Sequence, residues 1–284
     1  MPELPEVETT VNDLSRAVIG KKIIDFWTDT PKRLSILTKD RDAFNNKKIN
    51  GVYRKGKNII LNLSGGIKVL IHQKIAGHIL FGEWSFKEGK WIPESEPLIE
   101  KINSYIHFVI TLNNGKMIAL SDPRKFAKME IWDGEELNRK LSVDIGPDPM
   151  EVELVEFGER ITKKGSIIKT VLMNQSVISG IGNIYSDEIL WDARISPYRR
   201  TKNIDSQEMA KLFKSTRKIL AKAIELKGDS MSDYRLIDGT KGGYQNEHKV
   251  YGREGFPCLR KDGGIIERRK LGSRSLRFCP VCQK

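Results

Sequence analysis

Short apolar runs that alternate with polar residues dominate the first part of the chain. Such runs lie at residues 57–63, 68–71 and 105–112. A period of two is typical of strands that bury one face. The Gly65-Gly66 and Asn113-Asn114-Gly115 segments separate these runs and predict hairpin turns. The spacing of the strands favours a β-sandwich or a barrel within residues 1–132.

One helix is predicted ahead of these strands, from Pro5 to Val18. Glu6 and Glu8 lie in its first turn, where negative charge suits the helix dipole. Gly20 can end the helix. The N-terminal part is therefore expected to combine a flanking helix with β-structure.

The apolar pattern becomes helical over residues 154–228. Ile167, Ile168, Val171 and Leu172 recur at helical spacing, and a glycine-rich break at 179–183 predicts a helix, a compact turn and a second helix. A linker is predicted over 133–153, where Gly146-Pro147-Asp148-Pro149 lies. Residues 229–284 are rich in glycine and basic residues. The fold class expected is α+β, without internal repeats.

Charge narrows the class of partner. The 284 residues include 49 Lys and Arg against 37 Asp and Glu, a net charge of +12. This surplus of positive charge indicates a polyanionic binding partner, most often nucleic acid. The simpler explanation is that the charge only keeps the protein soluble. No apolar stretch approaches the roughly 18 residues that span a bilayer, and no secretory signal is recognised. We expect a cytoplasmic monomer without a membrane partner or an organic cofactor.

The first residues carry a candidate nucleophile. Removal of Met1 would expose the secondary amine of Pro2, and α-amines titrate near pH 8. A neutral amine can form a Schiff base with a sugar aldehyde carbon, and Glu3 or Glu6 can act as an acid, a base or an orienting group. The alternative is an ordinary helix start with acids that match the dipole.

Three further segments fit nucleic-acid chemistry. Lys57 can clamp a phosphate or donate a proton, Arg124 with Phe126 can enter a base stack, and the glycine-rich turn before Asn183 can bind phosphate. Lys164 and Lys169 precede that turn and would add positive charge. Each segment also has an ordinary explanation, as a solvated turn, a core aromatic or a helical hairpin.

The cysteines form part of a zinc-ribbon pattern. Cys279-x-x-Cys282 is one half, and Cys258 lies at a suitable distance upstream. A complete pattern would have cysteine at position 261, where Lys261 stands. Two alternatives remain open: zinc held by three thiolates with water or a nearby residue, and a hairpin without metal.

Taken together, these segments resemble the bacterial formamidopyrimidine-DNA glycosylases of the Fpg/Nei superfamily. The resemblance covers nearly the whole chain. It rests on MPELPEVET, RKGK, SDPRKF, IGPDP, IKTVLMNQSVISGIGNIYSDEIL, KVYGREGFPC and FCPVCQK, in this order. It implies an N-terminal β-sandwich catalytic domain at 1–132 and a linker at 133–153. A helix–two-turn–helix domain at 154–228 would precede a lesion-covering loop and a C-terminal β-hairpin finger at 229–284.

The resemblance also implies roles for individual residues. Pro2 matches the nucleophile, Glu3 the general acid/base, Lys57 the essential lysine, and Arg274 the finger arginine assigned to the second elimination. Residues that match DNA contacts are Ile75, Tyr105, Arg124, Phe126, Lys164 and Asn183. The partner would be double-stranded DNA that contains oxidised bases or abasic sites. The reaction would excise an oxidised purine and cut the strand by β,δ-elimination.

Four positions depart from the family pattern, the smallest change being Ala127 in place of the glycine that usually follows the wedge phenylalanine. Ile75 stands where a methionine wedge is usual, Tyr105 where a DNA-contacting histidine is usual, and Lys261 where a zinc cysteine is usual. Two alternatives follow, an endonuclease VIII-like glycosylase for oxidised pyrimidines and a DNA-damage binder without catalysis. A third, an RNA-binding helix–two-turn–helix protein, would have no use for Pro2 and Glu3. The presence of all four catalytic matches favours an enzyme over a binder, and the PELPEVE start resembles the formamidopyrimidine branch more than the endonuclease VIII branch.

Overall fold

A computed structural model describes residues 1–30, the backbone of 34–36, and residues 45–284. The chain divides into two compact units. The N-terminal unit comprises residues 1–142 and 226–243, and the C-terminal unit comprises residues 143–225 and 244–284. In the described ranges, no helix is long and apolar enough to cross a membrane.

The N-terminal unit contains two principal sheets. One sheet has four strands, β1 (Ile23–Thr28), β6 (His78–Gly82), β9 (Ile106–Leu112) and β10 (Met117–Ser121), in the order β1-β9-β10-β6. The other has five strands in the order β2-β11-β5-β4-β3. These are β2 (Leu34–Ile36), β3 (Ile49–Lys55), β4 (Asn58–Leu63), β5 (Ile67–His72) and β11 (Lys128–Asp133). Both predicted hairpins are present, as the pairs β4–β5 and β9–β10.

A shared apolar core joins the two sheets and helix α1 (Leu4–Val18). Leu14 of α1, Ile59 of β4 and Phe108 of β9 all belong to this core and are almost completely buried. On β9, Phe108 and Ile110 point into it, whereas Val109 belongs to a second cluster on the opposite face. The alternation follows from the strand period of two. The β-sandwich and its flanking helix are therefore confirmed.

The second apolar cluster of this unit lies next to a hairpin that the apolar pattern did not predict. This hairpin pairs β7 (Trp84–Lys87) with β8 (Lys90–Pro93). Trp84 is buried in the cluster, and Trp27 and Trp91 pack against it. The hairpin is short and rich in aromatic residues, so local periodicity is a weak signal there.

Two of the predicted domain boundaries differ from those in the structure. They concern the predicted linker at 133–153 and the region that follows the helical part. Helix α2 (Gly134–Asp144) lies within the predicted linker, and its Gly134 N–H donates to the Gly66 carbonyl at 2.8 Å. Pro147 accepts from the Ser179 N–H at 3.0 Å, within the C-terminal unit. Residues 226–243 belong to the N-terminal unit, where the Phe81 N–H donates to the Ile237 carbonyl. Long-range hydrogen bonds of this kind leave no local signal in composition.

The C-terminal unit contains the predicted helical part and the hairpin. Its helices are α3 (Leu154–Lys163), α4 (Ile168–Leu172), α5 (Asn183–Ala193) and α6 (Ser206–Glu225). Strands β12 (Glu267–Leu271) and β13 (Arg274–Phe278) form the antiparallel hairpin. Three backbone N–H groups at residues 249–251 donate to the fully buried carboxylate of Glu188, which anchors the segment before the hairpin to α5.

Lys169 was expected to add charge to a phosphate site, and the structure corrects this. The side chain is fully buried, and its ammonium lies 2.6 Å from Asp187 Oδ1. It also donates to Ser186 Oγ at 2.9 Å and to the Asn183 carbonyl at 3.2 Å. The other Asp187 oxygen accepts the Arg277 backbone N–H at 3.0 Å. Lys169 therefore joins α4, α5 and β13 and is not a surface ligand for DNA.

The buried pair makes a stability prediction. Burial raises the pKa of Asp187, and the Lys169 ammonium beside it opposes that rise. Lys169→Met leaves the carboxylate without its cation and is expected to cost about 3–5 kcal/mol of the free energy of unfolding. The pKa of Asp187 would rise further in this variant. Protonation of Asp187 at low pH removes the unpaired buried charge, so the loss in free energy of unfolding is smaller at pH 5 than at pH 8.

Urea denaturation of both variants at the two pH values checks this prediction. Lys163→Met, at an exposed position on α3, is the matched control and should change the free energy of unfolding by less than about 0.5 kcal/mol. Equal effects of the two substitutions would contradict the assignment.

Candidate active site and DNA-binding residues

The start of α1 presents the predicted nucleophile and acid. Pro2 and Glu3 are both buried, and Glu3 is the residue that caps the helix. The Glu3 backbone N–H donates to Glu6 Oε2 at 2.8 Å. The Val7 N–H donates to the Glu3 carbonyl at 3.1 Å, which begins the helical hydrogen-bond pattern. Glu3 therefore has a fixed backbone at the positive end of the helix dipole.

Glu6 also holds the segment predicted to cover the lesion. Its second oxygen, Oε1, accepts the Asp229 N–H at 2.8 Å. Gly228 adopts φ +79°, and a Cβ there would lie 2.8 Å from Glu6 Oε1, so glycine is required on both counts. The Tyr234 hydroxyl donates to the Glu6 carbonyl at 3.0 Å. Because both oxygens bind backbone N–H groups, Glu6 is an orienting group.

The predicted lysine lies in a turn that is tied to the same helix. Lys57 follows Gly56, which has φ +58°, between β3 and β4, and only 7% of Lys57 is exposed. Arg54 Nη1 donates to the Gly56 carbonyl at 3.2 Å, and Arg54 Nε donates to Glu8 Oε2 at 2.6 Å. Arg54 therefore connects the Lys57 turn to α1, the helix that begins with Pro2 and Glu3.

The turn after β5 presents Ile75 to solvent. Ile75 is 42% exposed. The Lys74 N–H donates to His72 Nδ1 at 2.9 Å, so this ring nitrogen accepts. Burial, reinforced by the charges of Lys74 and Lys57, lowers the pKa of His72 to about 4. His72 is therefore neutral at pH 7, and an exposed apolar residue lies where the wedge was predicted.

A second turn presents Arg124 and Phe126. Asp122 is buried, and its two oxygens accept the N–H groups of Arg124 at 3.1 Å and Ala127 at 2.7 Å. The Asp122 N–H donates to the Tyr105 carbonyl at 2.8 Å, which places Tyr105 beside the turn. Arg124 is exposed and Phe126 is 49% exposed. The simpler interpretation of Phe126, as an aromatic residue of the apolar core, is therefore wrong.

In the C-terminal unit, the glycine-rich turn ends where α5 begins. Gln175 braces this turn, because its side chain accepts the Gly180 N–H at 2.8 Å and donates to the Ile181 carbonyl at 2.8 Å. Asn183 is the first residue of α5 and is partly exposed. Lys164 is exposed at the end of α3. The helix start thus offers N–H groups that suit a phosphate, with a lysine of the same unit exposed.

Arg274 begins β13, directly after the turn of the hairpin. It is exposed, and Gly272 in that turn has φ +58°. The hairpin carries the basic residues Arg268, Arg269, Lys270 and Arg274 along its two strands. This concentration of positive charge fits contact with a phosphate backbone.

The three cysteines converge with an aspartate that the sequence analysis did not single out. Ligand atoms of Cys258, Asp262, Cys279 and Cys282 all lie within 4.8 Å of one another. Lys261 has φ +55°, and Asp262, the residue after this left-handed turn, reaches the thiols. The Gly264 N–H donates to Asp262 at 2.8 Å and lowers the pKa of this carboxyl to about 2.

These distances fit a tetrahedral zinc ion. With Zn–S bonds of about 2.3 Å, two sulfur ligands lie about 3.8 Å apart, and a sulfur and a carboxylate oxygen about 3.5 Å apart. The Cys258 and Cys282 sulfurs are 3.9 Å apart, and Cys279 Sγ is 3.5 Å from Asp262 Oδ2. Arg260 donates to Cys282 Sγ at 3.1 Å, which suits a thiolate. The residues present therefore fit the metal.

Several supporting residues escaped sequence reasoning. Arg54 and Gln175 act through hydrogen bonds to turns. Asp262 lies one position after Lys261, where the zinc-ribbon pattern expects a cysteine ligand. A search for any oxygen or sulfur donor beside Lys261 would have found Asp262. No local pattern distinguishes Arg54 or Gln175 from solvated polar residues, because their partners are carbonyl and carboxylate groups brought close by the fold.

Two family models match the chain. The formamidopyrimidine-DNA glycosylase N-terminal domain matches residues 1–129, and the formamidopyrimidine-DNA glycosylase H2TH domain matches residues 145–235. Formamidopyrimidine-DNA glycosylases are also similar over their whole length. The one from Heliobacterium modesticaldum is 34% identical and the one from Herpetosiphon aurantiacus is 32% identical, each with 100% of both chains covered.

Solved structures agree with these sequence comparisons. A Lactococcus lactis Fpg in complex with DNA that contains an abasic site aligns with a TM-score of 0.86 at 31% identity, covering 99% of each chain. The MutM (Fpg) protein from Thermus thermophilus aligns with a TM-score of 0.82 at 31% identity, covering 99% of this chain and 98% of that one. The chain therefore belongs to the formamidopyrimidine-DNA glycosylases, a family of DNA-binding glycosylases that act in DNA repair.

Proposed function

We propose that this glycosylase removes oxidised purines from double-stranded DNA and then cuts the strand as an abasic-site lyase. The observation that carries the proposal is the joint anchoring of Pro2, Glu3 and Lys57. Pro2 and Glu3 begin α1, and Arg54 ties the Lys57 turn to the same helix through Glu8. An amine, a carboxylate and an ammonium group thus lie on connected elements of one unit.

Pro2 is the proposed nucleophile after Met1 has been removed. Its neutral nitrogen attacks C1′ of the damaged nucleotide, the N-glycosidic bond breaks, and the base leaves with a proton. Glu3 assists by proton transfer as the sugar ring opens, which leaves an iminium between Pro2 and C1′. The base must first leave the stack, because its glycosidic bond is unreachable inside a duplex.

Strand cleavage then proceeds by two eliminations. Loss of a proton from C2′ expels the 3′ phosphate, and loss of a further proton expels the 5′ phosphate. Lys57 is the proposed proton donor and phosphate contact in the first elimination, and Arg274 is assigned to the second. Water finally adds to the iminium carbon, and the Pro2 amine and the sugar-derived aldehyde separate. Lys164 and Asn183 are proposed phosphate ligands, while Ile75, Arg124 and Phe126 would fill the space left by the base.

Zinc is the proposed metal of the cysteine cluster, held by Cys258, Asp262, Cys279 and Cys282. The ion would supply a structural cross-link and no reactive centre, since all four positions are occupied by protein ligands. Cys279 and Cys282 directly follow β13, whereas Cys258 and Asp262 precede β12. The cluster would therefore fix the base of the hairpin that carries Arg274.

Borohydride trapping tests the proposed chemistry. We expect wild-type protein, with Met1 removal confirmed by mass spectrometry, to form a covalent band on a duplex with 8-oxoguanine opposite cytosine. The attached peptide should map to Pro2. Glu3→Gln should lower the rate of base release by about 10²–10⁴-fold, because a positioned acid or base contributes that much. Asp13→Asn, on the same helix, is the matched control and should leave the rate unchanged.

Other substrates separate the alternatives in the same assay. A covalent band only on an oxidised-pyrimidine duplex would support the proposed mechanism but show an endonuclease VIII-like substrate class. Absence of a band on either duplex and on a plain abasic site would reject the lyase and favour a DNA-damage binder.

Metal analysis tests the zinc assignment. We expect about one zinc per chain, and Asp262→Ala should weaken retention against a chelator by at least about tenfold, since even outer-shell changes cost 10–100-fold. Asp262→Cys should retain zinc, because it supplies a fourth ligand. Lys261→Gln is the neighbouring control and should retain it equally. Purified protein that neither contains nor takes up zinc would refute the assignment.

A further inference from the structure

Arg260 lies between the two chain segments that supply the proposed zinc ligands. It belongs to the segment of Cys258 and Asp262, and its Nη1 donates to the sulfur of Cys282 in the other segment at 3.1 Å. The Cys258 and Cys282 sulfurs are 3.9 Å apart. A guanidinium group has hydrogen-bond donors only and cannot ligate a metal. Its contact with Cys282 therefore acts on a ligand and not on the ion.

Two further contacts fix the guanidinium of Arg260 in this position. Its central carbon lies 3.8 Å from the centroid of the Trp191 ring, and its Nη2 donates to the Asp192 carbonyl at 3.1 Å. Trp191 is 8% exposed and belongs to the apolar cluster that contains Cys258 and Cys279. A planar group that stacks through one face while it donates in two directions uses the properties that distinguish arginine from lysine.

Arg260 also caps the C-terminal end of α5. The Asp192 carbonyl lies in the last turn of this helix, where carbonyl groups have no partner within the helix and where the helix dipole favours a cation. The chain that follows Cys282 docks at the same place, because the Gln283 side chain donates to the Ile195 carbonyl at 3.0 Å. Arg260 therefore joins one ligand segment to the other and both of them to the end of α5.

The charge of a zinc-loaded cluster calls for a cation beside it. Zinc carries two positive charges, whereas three thiolates and one carboxylate carry four negative charges, so the proposed ligand set leaves a net charge of −2. Cys258 and Cys279 are buried. Negative charge removed from water is strongly unfavourable unless a counter-charge accompanies it. Arg260 places one positive charge in direct contact with this ligand set.

Cys282 is the ligand that most needs a restraint of this kind. It is partly exposed, in contrast to the buried Cys258 and Cys279, so packing restrains its sulfur less. Groups that contact a metal ligand orient it, and their removal weakens metal binding even though they never touch the ion. The hydrogen bond from Arg260 supplies such an orientation to the least buried of the three sulfurs.

We propose that Arg260 is a positioning residue for Cys282. It holds the sulfur toward the metal, brings the two ligand segments together before the metal binds and offsets part of the negative charge of the loaded cluster. The inference rests on the proposed zinc assignment. Because the cluster lies at the base of the hairpin that carries Arg274, Arg260 would also steady that residue. If Arg260 only stacked on Trp191, its removal would leave metal binding unchanged.

Zinc competition on the purified full-length chain tests the proposal. Each zinc-loaded variant is titrated with a chromogenic chelator, which gives the dissociation constant for zinc. We expect Arg260→Ala to weaken zinc binding by about 10–100-fold, the range for partners of metal ligands. Arg260→Lys, which keeps the positive charge but lacks the planar fork, should recover part of this loss. Arg268→Ala, at an exposed position on β12, is the matched control and should bind zinc as the wild type does.

Cobalt(II) spectroscopy separates a contact to the sulfur from a general loosening of the fold. Co²⁺ can take the place of zinc among thiolate ligands and then gives an absorption band in which charge moves from sulfur to metal. A hydrogen bond to a thiolate stabilises its electron pairs, so we expect this band to lie at longer wavelength in Arg260→Ala, at unchanged intensity. A band that loses intensity without a shift would indicate a purely structural role and would contradict the proposal.

The outcomes for the wild type and for the variants distinguish the two proposals. A zinc dissociation constant that Arg260→Ala changes by less than about twofold, or a cobalt band that stays in place, overturns the role of Arg260. Wild-type protein that binds neither zinc nor cobalt would overturn the zinc assignment itself. Borohydride trapping at Pro2 reports the proposed catalysis separately from both.

Discussion

The buried carboxylate of Glu6 is the interaction on which the arrangement of the predicted active site depends. A carboxylate taken out of water must have its oxygens satisfied, and here each accepts one backbone N–H. One donor is Glu3, beside the proposed nucleophile, and the other is Asp229, at the start of the segment predicted to cover the lesion. A single side chain therefore sets the geometry of the start of α1 and of a segment that lies 223 positions farther along the chain from Glu6.

In the C-terminal unit, a buried ion pair likewise fixes the position of neighbouring segments. Lys169 and Asp187 are fully removed from water, so each must be paired, and their remaining hydrogen bonds reach Asn183 and Arg277. The start of α5, which carries a proposed phosphate ligand, and β13, which begins with Arg274, are thereby held by one buried pair. The buried pair therefore positions groups that are proposed to contact DNA.

Residues proposed to touch DNA are presented by turns that a buried or partly buried side chain braces. Asp122 closes the turn that exposes Arg124 and Phe126, and Gln175 closes the turn before Asn183. Such supports matter because a contact residue can act only within a narrow range of positions.

Local chemistry explains which features were predictable from sequence. Strand alternation, the start of α1 and the glycine-rich turn depend on residues close together in the chain, so the sandwich and the helical part followed from the local pattern. The finger hairpin and the roles expected of Pro2, Glu3, Lys57 and Arg274 followed from the family resemblance of the sequence. Tertiary structure alone decided that Lys169 is buried, that Asp262 joins the cysteines, that residues 226–243 belong to the N-terminal unit and that Arg260 contacts Cys282. Each of these depends on partners brought together across long separations, and such contacts leave no periodicity or spacing to read.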